Sequence, residues 1–361
     1  MSEEVRGGFL TLPMGGRELS SVVRESLFIS CEKSVVRDRP VQGGHVWERE
    51  GVTLSPFVGA SVCIGSFDGF HVGHRMLVQE TMGDARKRGI ASVALTFDPL
   101  PAELLHLCGA SGRHRLLSRE ERVRALLFAG LDAVMVLDFD RALADMGYED
   151  FLARALPSLM APRSIHVGSD FRLGRGGAGT VERLSRLGRR LNIEVHGHEL
   201  VCDGHGNVSS TRVRGLLHEG DVGEAARLLD RLHFVSGSVL HGRGEGKDLG
   251  FPTANVRVDP SRCMPAEGVY GGLVASGGLA WPAAINVGAP PTFSGSDPSF
   301  LEANLVGFDG DLYGADVSVL FASWLRASRR FDSIEELERA VRANIDWVRA
   351  KLGDRGVEVT V

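Results

Sequence analysis

A change in the periodicity of apolar residues along the chain constrains its fold most strongly. From Ser61 to about Glu199, strand-like apolar runs alternate with segments of helical period, and beyond about Leu232 short strand-like segments replace them. Repeated βα units predict a parallel sheet with helices on both faces and ligands at the carboxyl ends of its strands. Closely spaced short strands predict a small antiparallel barrel. An amphipathic helix over Ser333–Leu352, opened by a capping box, ends the pattern.

The length of 361 residues also favours two domains, because single domains cluster near roughly 100 to 200 residues. We predict an N-terminal extension over residues 1–55, to which no role is assigned. An α/β domain then covers residues 56–232, and a barrel domain covers residues 233–361. A fragment that starts near Leu232 is expected to fold alone.

Composition and charge narrow the classes of partner. The net charge of -5 provides no broad basic field, so no nucleic-acid partner is expected. No apolar run approaches the roughly 18 residues of a membrane span, so no membrane role is expected. The five cysteines are odd in number and form no CxxC pair, which favours reduced thiols and a cytoplasmic location.

The segment Gly65–His74 lies where the first strand passes into the first helix. Unpaired N–H groups at a helix start attract phosphate oxygens. His71 and His74 share one helix face, and Gly73 between them allows a nucleotide to approach the backbone. A bare HxxH pair is as often two ordinary surface histidines, but the glycine and the strand-to-helix context favour a nucleotide site. Paired imidazoles could stabilise the charge that develops as a triphosphate is split.

His71-Val72-Gly73-His74 after a first strand resembles the nucleotidyltransferase superfamily, and Ile64–Gly69 narrows the resemblance to the bacterial bifunctional riboflavin kinase and FAD synthetase family. The resemblance covers roughly Val58 to Leu352. It implies a Rossmann-like nucleotidyltransferase domain followed by a riboflavin kinase barrel. It also implies that ATP phosphorylates riboflavin to FMN and that FMN is then adenylylated to FAD, with pyrophosphate leaving.

Three further segments of the first domain match this family in order. Thr96–Pro101 resembles its TFxPHP motif, with Leu100 where the family usually has His. Residues 166–174 resemble the loop that lines the flavin side of the site. Residues 208–214 resemble the ISSTxIR motif, which approaches ATP phosphates. A Ser or Thr followed by Arg at a helix start is also a common structural pattern. The resemblance implies catalytic His71 and His74, phosphate or ATP contacts at Gly65, Phe67, Gly73, Ser210, Thr211 and Arg214, and flavin contacts at Asp170 and Phe171.

A glycine-rich run over residues 242–250 opens the second motif region, and it is not a Walker A loop. The following GFPTAN stretch resembles the riboflavin kinase signature, which implies that Gly242 and Gly250 bind ATP and that Thr253 and Asn255 coordinate Mg²⁺. Oxygen ligands suit this hard cation. Glu302 matches the acid that serves as general base for the ribityl 5'-hydroxyl. The chain departs from the family at Asn304, where His is frequent, and at Ser328, where Glu is frequent.

The expected partners are riboflavin, FMN, FAD and ATP, with Mg²⁺ as the cofactor. Two other functions remain open from the sequence. The chain could act as a riboflavin kinase whose adenylyltransferase half is weak or lost, and Leu100 is the direct support for that interpretation. It could also be a non-catalytic flavin-binding regulator, against which the retained His71, His74 and Glu302 argue.

Overall fold

The computed structural model describes residues 18–29, 36–105, 114–241, 251–288 and 300–359. The chain divides into two compact units. We call Glu32–Arg113 with Leu117–Ser210 the α/β unit, and Met1–Cys31, His114–Leu116 and Thr211–Val361 the barrel unit.

The described strands fall into two main sheets and two short hairpins. In chain order they are β1 Val36–Val41, β2 Gly44–Arg49, β3 Gly59–Ile64, β4 Ala91–Asp98, β5 Ala133–Asp138, β6 Ala161–Gly168, β7 Arg172–Leu173, β8 Gly179–Thr180, β9 Glu194–His198, β10 Cys202–Asp203, β11 Gly206–Asn207, β12 His233–Leu240, β13 Ala254–Val258, β14 Gly268–Ser276, β15 Leu279–Val287, β16 Phe300–Leu305, β17 Asp316–Arg326 and β18 Val357–Glu358.

The described helices vary from single turns to a long terminal helix. They are α1 Leu19–Ser26, α2 Val72–Arg88, α3 Pro101–Leu104, α4 Arg119–Phe128, α5 Arg141–Asp145, α6 Tyr148–Asp150, α7 Leu156–Leu159, α8 Val181–Leu191, α9 Ser210–His218, α10 Val222–Leu229 and α11 Ile334–Leu352. A π-helical turn over Phe151–Ala155 joins α6 to α7.

The α/β unit is built on one sheet of order β1-β2-β5-β4-β3-β6-β9. Five neighbouring strands of this sheet are parallel to one another: β5, β4, β3, β6 and β9. Its central strands are apolar on both faces, as a doubly covered sheet requires. Helix α2 packs against β3, β4 and β6. The predicted parallel α/β fold is therefore confirmed.

The barrel unit contains a closed antiparallel barrel of six strands in the order β14-β17-β12-β13-β16-β15, and pairing between β14 and β15 closes it. Strand β18 adds to the edge of β15. Helix α11 begins after Ser333, whose hydroxyl accepts the N–H of Glu336 at 3.1 Å, and it packs against β14 and β15. The predicted barrel with a terminal helix is confirmed, while β13 was not predicted as a strand.

Residues 36–49 form a hairpin that the sequence did not predict. Strand β2 pairs antiparallel with β5 and so extends the sheet of the α/β unit. Buried Glu48 accepts hydrogen bonds from Arg37 and Arg39 and from the Leu54 N–H. Although burial opposes it, these bonds lower the pKa of Glu48 to about 2. The hairpin therefore buries a paired carboxylate beside Val46, which is its fully buried apolar contribution to the core.

Helix α1 is a second unpredicted element of the extension, and it belongs to the barrel unit. The Ser26 hydroxyl accepts the Leu232 N–H at 3.1 Å. The guanidinium of Arg231 lies 5.0 Å from the Phe28 ring centroid and 5.4 Å from that of Phe234, which is cation–π distance. The extension thus contributes one element to each unit.

Helices α9 and α10 precede the predicted boundary at Leu232, yet they belong to the barrel unit except for Ser210. Helix α10 packs against β12 and β17. Its buried residues are Val222, Ala225, Ala226, Leu228 and Leu229. Because fully burying one large apolar side chain contributes roughly 1.5 to 3 kcal/mol, removing this face should destabilise the barrel.

We expect a fragment of residues 211–361 to unfold at a clearly higher urea concentration than a fragment of residues 232–361, and to be the better source of kinase activity. Both fragments lack α1, so their comparison isolates the contribution of α9 and α10. Urea titration followed by circular dichroism measures the two midpoints. Equal midpoints would show that the boundary near Leu232 is sufficient.

Candidate active sites

The first candidate site lies at the switch point of the parallel sheet. From β3 the chain adds β4 and β5 on one side, and it later adds β6 and β9 on the other. Ligands of such sheets bind at the carboxyl ends of the strands where the order reverses. The loop after β3 holds Gly65–His71, and the loop after β6 holds Asp170. Both predicted half-sites of the first domain therefore flank the position where the fold favours a ligand.

The loop after β3 has an unusual backbone. Phe67, Gly69 and Phe70 have φ angles of 50°, 80° and 46°, in the left-handed region. Such angles are costly for a phenylalanine and are often found at functional sites. The Asp68 carbonyl accepts the Ser210 hydroxyl at 2.7 Å, and its carboxylate accepts the Leu117 N–H at 3.1 Å. These bonds hold the loop in this conformation.

His71 and His74 lie together at the start of α2, with stacked rings whose centroids are 3.7 Å apart. A Cβ at position 73 would lie 3.2 Å from the Nδ1 and Cε1 atoms of His71, so Gly73 makes room for that ring. The Phe67 ring, fully buried, lies edge-on to His74 at 5.3 Å and closes over Gly65. Among the described residues, neither histidine Nδ1 has a hydrogen-bond partner.

Both histidines are neutral at pH 7. Burial lowers the pKa of His71 to about 4. Burial, and after it electrostatic repulsion by Arg122 and by His71 in its protonated form, holds the pKa of His74 well below its usual range. A neutral imidazole carries one N–H donor and can stabilise an anion without a fixed positive charge. The pair is thus suited to charge that appears during a reaction.

Arg122 on α4 lies beside the first candidate site, and the sequence analysis did not identify it. It is fully buried, donates to the Ser66 carbonyl at 3.3 Å and to the Phe97 carbonyl at 2.8 Å, and lies 3.6 Å from the Asp98 carboxylate. It therefore joins the carboxyl ends of β3 and β4. The available signal was an arginine on the apolar face of a predicted helix.

Asp170 and Phe171 follow β6 on the other side of the switch point. The Asp170 side chain is exposed and Phe171 is half-buried against the core of the sheet. A Cβ at Gly168 would lie 3.1 Å from Oδ1 of Asp170, so this glycine lets the carboxylate fold back over the strand end. The exposed carboxylate and the anchored ring are accessible to a ligand.

The predicted phosphate contacts near α9 are divided between the units. Ser210 belongs to the α/β unit, where its hydroxyl bond to Asp68 ties it to the His71 loop. Thr211 is exposed, and Arg214 is buried with its Nε donating to the His114 carbonyl at 2.8 Å; both belong to the barrel unit. Contact of Thr211 and Arg214 with ATP stays a prediction.

Leu100, which stands where the family usually has His, is buried with 4% of its surface exposed. Its N–H donates to the Glu103 carboxylate at 2.8 Å and opens α3. The leucine side chain therefore packs into the protein and supplies no polar contact.

The second candidate site lies on the outer face of the barrel. In the strand register Glu302 on β16 is paired with Asn255 on β13 and with Asn286 on β15. The neighbours Leu301 and Ala303 are buried in the interior, so Glu302 points to the opposite face. The three polar residues are thus adjacent across three strands.

Thr253 immediately precedes β13 and is half-buried, as is Asn255. Asn304 donates to the Pro252 carbonyl at 2.8 Å, so this replacement for a frequent His supports the backbone next to Thr253. Ser328 donates to Asn286 at 3.4 Å. Gly242 and Gly250 lie outside the described residues.

Two family models match the chain in the same order as the two sites. Residues 56–212 match the model described as FAD synthetase, and residues 229–352 match the model described as riboflavin kinase. The chain therefore joins an FAD synthetase domain to a riboflavin kinase domain.

Curated relatives share both parts. A protein of Escherichia coli K12 named bifunctional riboflavin kinase/FMN adenylyltransferase is 33% identical over 291 residues, which cover 80% of this chain and 92% of the relative. A protein of the same name from Pseudomonas fluorescens is 34% identical, covering 81% of this chain and 93% of the relative. The chain belongs to the bifunctional riboflavin kinase/FMN adenylyltransferase family.

A solved structure shares the architecture. The crystal structure described as a macrolide-efflux protein from Streptococcus pneumoniae superposes with a TM-score of 0.74 at 30% identity, covering 82% of this chain and 97% of that one. In the part of this chain that the structure describes, no helix is long and apolar enough to cross a bilayer.

The buried histidines predict a loss of stability in acid. The pKa of His71 is about 4 in the folded chain against an ordinary value of 6.5, a difference of about 2.5 units or roughly 3 kcal/mol. Because the unfolded chain binds the extra proton between these values, stability falls as the pH decreases from 6.5 towards 4.

Thermal unfolding followed by circular dichroism between pH 7.5 and 4.5 measures this loss. The variant His71→Gln, which cannot titrate in this range, should show a shallower decline of the melting temperature. Identical pH profiles for parent and variant would contradict the assignment of a neutral buried His71.

Proposed function

We propose that the barrel unit transfers the γ-phosphoryl group of ATP to riboflavin and that the α/β unit then transfers AMP from a second ATP to the FMN formed. The observation that supports this most strongly is the occurrence in one chain of both sites, the His71/His74 pair at the sheet's switch point and Glu302 between two asparagines on the barrel. The proposed order places FMN as product of one site and substrate of the other.

In the kinase step, the ribityl 5'-hydroxyl attacks the γ-phosphorus while Glu302 accepts the hydroxyl proton. A new oxygen–phosphorus bond forms and ADP leaves with the electron pair of the broken bond. The amides of Asn255 and Asn286, which flank Glu302 in the register, are suited to orient the carboxylate and the hydroxyl. This pairing supports the proposed role of Glu302.

Mg²⁺ is proposed to accompany ATP. Over the described ranges, no cluster of three or more His, Cys, Asp or Glu could hold a metal ion. The neutral oxygens of Thr253 and Asn255 fit an ion that is held largely by phosphate and water. When bound, the ion would neutralise phosphate charge.

In the adenylyl step, a phosphate oxygen of FMN attacks the α-phosphorus of ATP and pyrophosphate leaves from the opposite side. No covalent enzyme intermediate is needed. His71 and His74 donate hydrogen bonds to the phosphate oxygens as negative charge moves to the leaving group. Asp170 and Phe171 are proposed to hold the flavin, and Gly65, Phe67, Gly73 and Ser210 to shape the ATP side.

The cytoplasm is proposed as the compartment. Cys63, Cys202 and Cys263, the cysteines in the described residues, are free thiols, as is usual in a reducing environment.

Incubation of the purified chain with riboflavin, ATP and Mg²⁺, with flavins separated over time, tests the proposal. FMN should appear first and FAD should follow. FMN alone would instead favour the kinase-only function that Leu100 suggests, and neither product would favour the non-catalytic regulator.

A further inference from the structure

Three side chains outside the reacting groups form a continuous hydrogen-bonded chain across the α/β unit. They are Asp84 on α2, His166 on β6 and His198 on β9. Nε2 of His166 lies 3.4 Å from Oδ2 of Asp84, and Nδ1 of His166 lies 3.0 Å from Nε2 of His198. His166 is only 3% exposed. Hydrogen bonds in a buried, low-dielectric region are strong, and a partner left unsatisfied there is costly.

The positions of the protons in this hydrogen-bonded chain follow from Asp84, the carboxylate at one end of it. Oδ2 of Asp84 accepts the hydroxyls of Ser61, at 3.0 Å, and Ser164, and its Oδ1 accepts Nε of Arg88 at 2.8 Å. Although burial opposes it, these bonds hold the pKa of Asp84 well below its usual range.

Because an ionised carboxylate only accepts hydrogen bonds, Nε2 of His166 carries a proton. Burial, opposed in part by Asp84, lowers the pKa of His166 to about 4, so its ring is neutral at pH 7. Nδ1 of His166 is then an acceptor, and Nε2 of His198 donates to it.

The hydrogen-bonded chain ends at His198, beside both half-sites of the proposed adenylyltransferase. The His198 carbonyl accepts the Ser169 N–H at 2.7 Å, next to Asp170. A Cβ at Gly168 would lie 3.2 Å from Cδ2 of Leu200, and a Cβ at Gly73 would lie 3.9 Å from Cβ of Val201. The residues that follow β9 therefore lie close to the flavin-side loop and to the ATP-side helix start.

Helix α2 connects the same two places. It carries His71 and His74 at its start and Asp84 in its last turns. The hydrogen-bonded chain thus links the helix that presents the two histidines to the strand end that holds the Asp170 loop.

We propose that Asp84, His166 and His198 are positioning residues that fix the Asp170 loop relative to His71 and His74, and so set the affinity of the FAD-forming site for FMN. This inference rests on the proposed function. Loss of the His198 donor would leave a buried acceptor on His166 unsatisfied, and the strand end that carries the loop would shift to relieve it.

His196 provides a matched control within the same cluster. Its ring stacks on His166 at 4.8 Å between centroids, and its Nε2 lies 3.5 Å from the Glu194 carboxylate. It is not part of the chain from Asp84 to His198. Its replacement removes a neighbouring imidazole and leaves the chain intact.

The test compares His198→Met with His198→Gln, two side chains of nearly equal shape of which only glutamine can donate to His166. We expect the methionine variant to raise KM for FMN by about 10- to 100-fold in FAD formation, with a smaller change in kcat. The glutamine variant should recover most of this loss, and His196→Met should be close to the parent. FMN formation from riboflavin should be unchanged in all three.

Flavin fluorescence titration gives the Kd for FMN without turnover, and melting temperatures identify variants that are not folded. If His198→Met does not fold, His166→Asn, which can still accept from His198, is compared with His166→Leu, which cannot. Equal KM and Kd values within either pair would overturn the inference, as would an equal effect of His196→Met. If the variants differ in their Kd for FMN as expected, but the parent makes no FAD, the result would contradict the proposed function and leave this inference standing.

Discussion

Replacing His71 and His74 together with alanine should lower FAD formation from FMN by at least about 10²-fold while FMN formation from riboflavin continues. The two stacked imidazoles stand at a helix start with their Nδ1 atoms unpaired among the described residues. Loss of one preorganised donor to a developing charge typically costs about 10²- to 10³-fold in turnover. The effect should lie mainly in kcat, since these bonds strengthen in the transition state.

The assay adds FMN and ATP directly and follows FAD by chromatography, with riboflavin phosphorylation measured on the same sample. His45→Ala, which removes a half-exposed histidine from the hairpin of the same unit, is the matched control and should behave as the parent. If both reactions fall together and the melting temperature drops, the histidines are structural. FAD formation near the parent rate would remove them from catalysis.

The second large effect is expected from Glu302→Gln, which keeps the shape of the side chain and removes its basicity. Kinase turnover should fall by roughly 10²-fold or more, the scale of a lost general base. The strands that hold Glu302 between Asn255 and Asn286 should not change, so folding and flavin binding should persist.

FAD formation from added FMN serves as the internal control for this variant, because it does not use Glu302. Glu358→Gln, on the exposed edge strand β18, is the matched acidic control. An unchanged rate of riboflavin phosphorylation would exclude Glu302 as the base.

Elements with strong local signals could be predicted from the sequence. Helix α11 was predicted over Ser333–Leu352 and is observed over Ile334–Leu352, because its cap and its apolar period lie in one stretch of sequence. The same holds for the alternation that produced the parallel sheet. The His71 and His74 pair could be recognised because its members are close in sequence.

The hairpin over residues 36–49 and helix α1 had no such signal. The hairpin is stabilised by the ion pairs of buried Glu48, which no apolar period reveals. Helix α1 packs beside Arg231 and Leu232, which are far away in sequence.

The supporting residues of the site are hidden for the same reason. Arg122 reaches the strand ends from a different helix, and Asp84, His166 and His198 meet only when α2, β6 and β9 pack together. Single-sequence reasoning finds residues that share a motif, and it misses those that are joined by tertiary contacts alone.

The most direct test of the two-step account follows the phosphorus atoms of ATP. With ATP labelled at the γ-phosphate, label should enter FMN first and FAD later; with ATP labelled at the α-phosphate, label should enter FAD and never FMN. This outcome is expected because phosphorylation keeps only the γ-phosphoryl group and adenylylation keeps only the α-phosphate. FMN without γ-label, or FAD without α-label, would contradict the account.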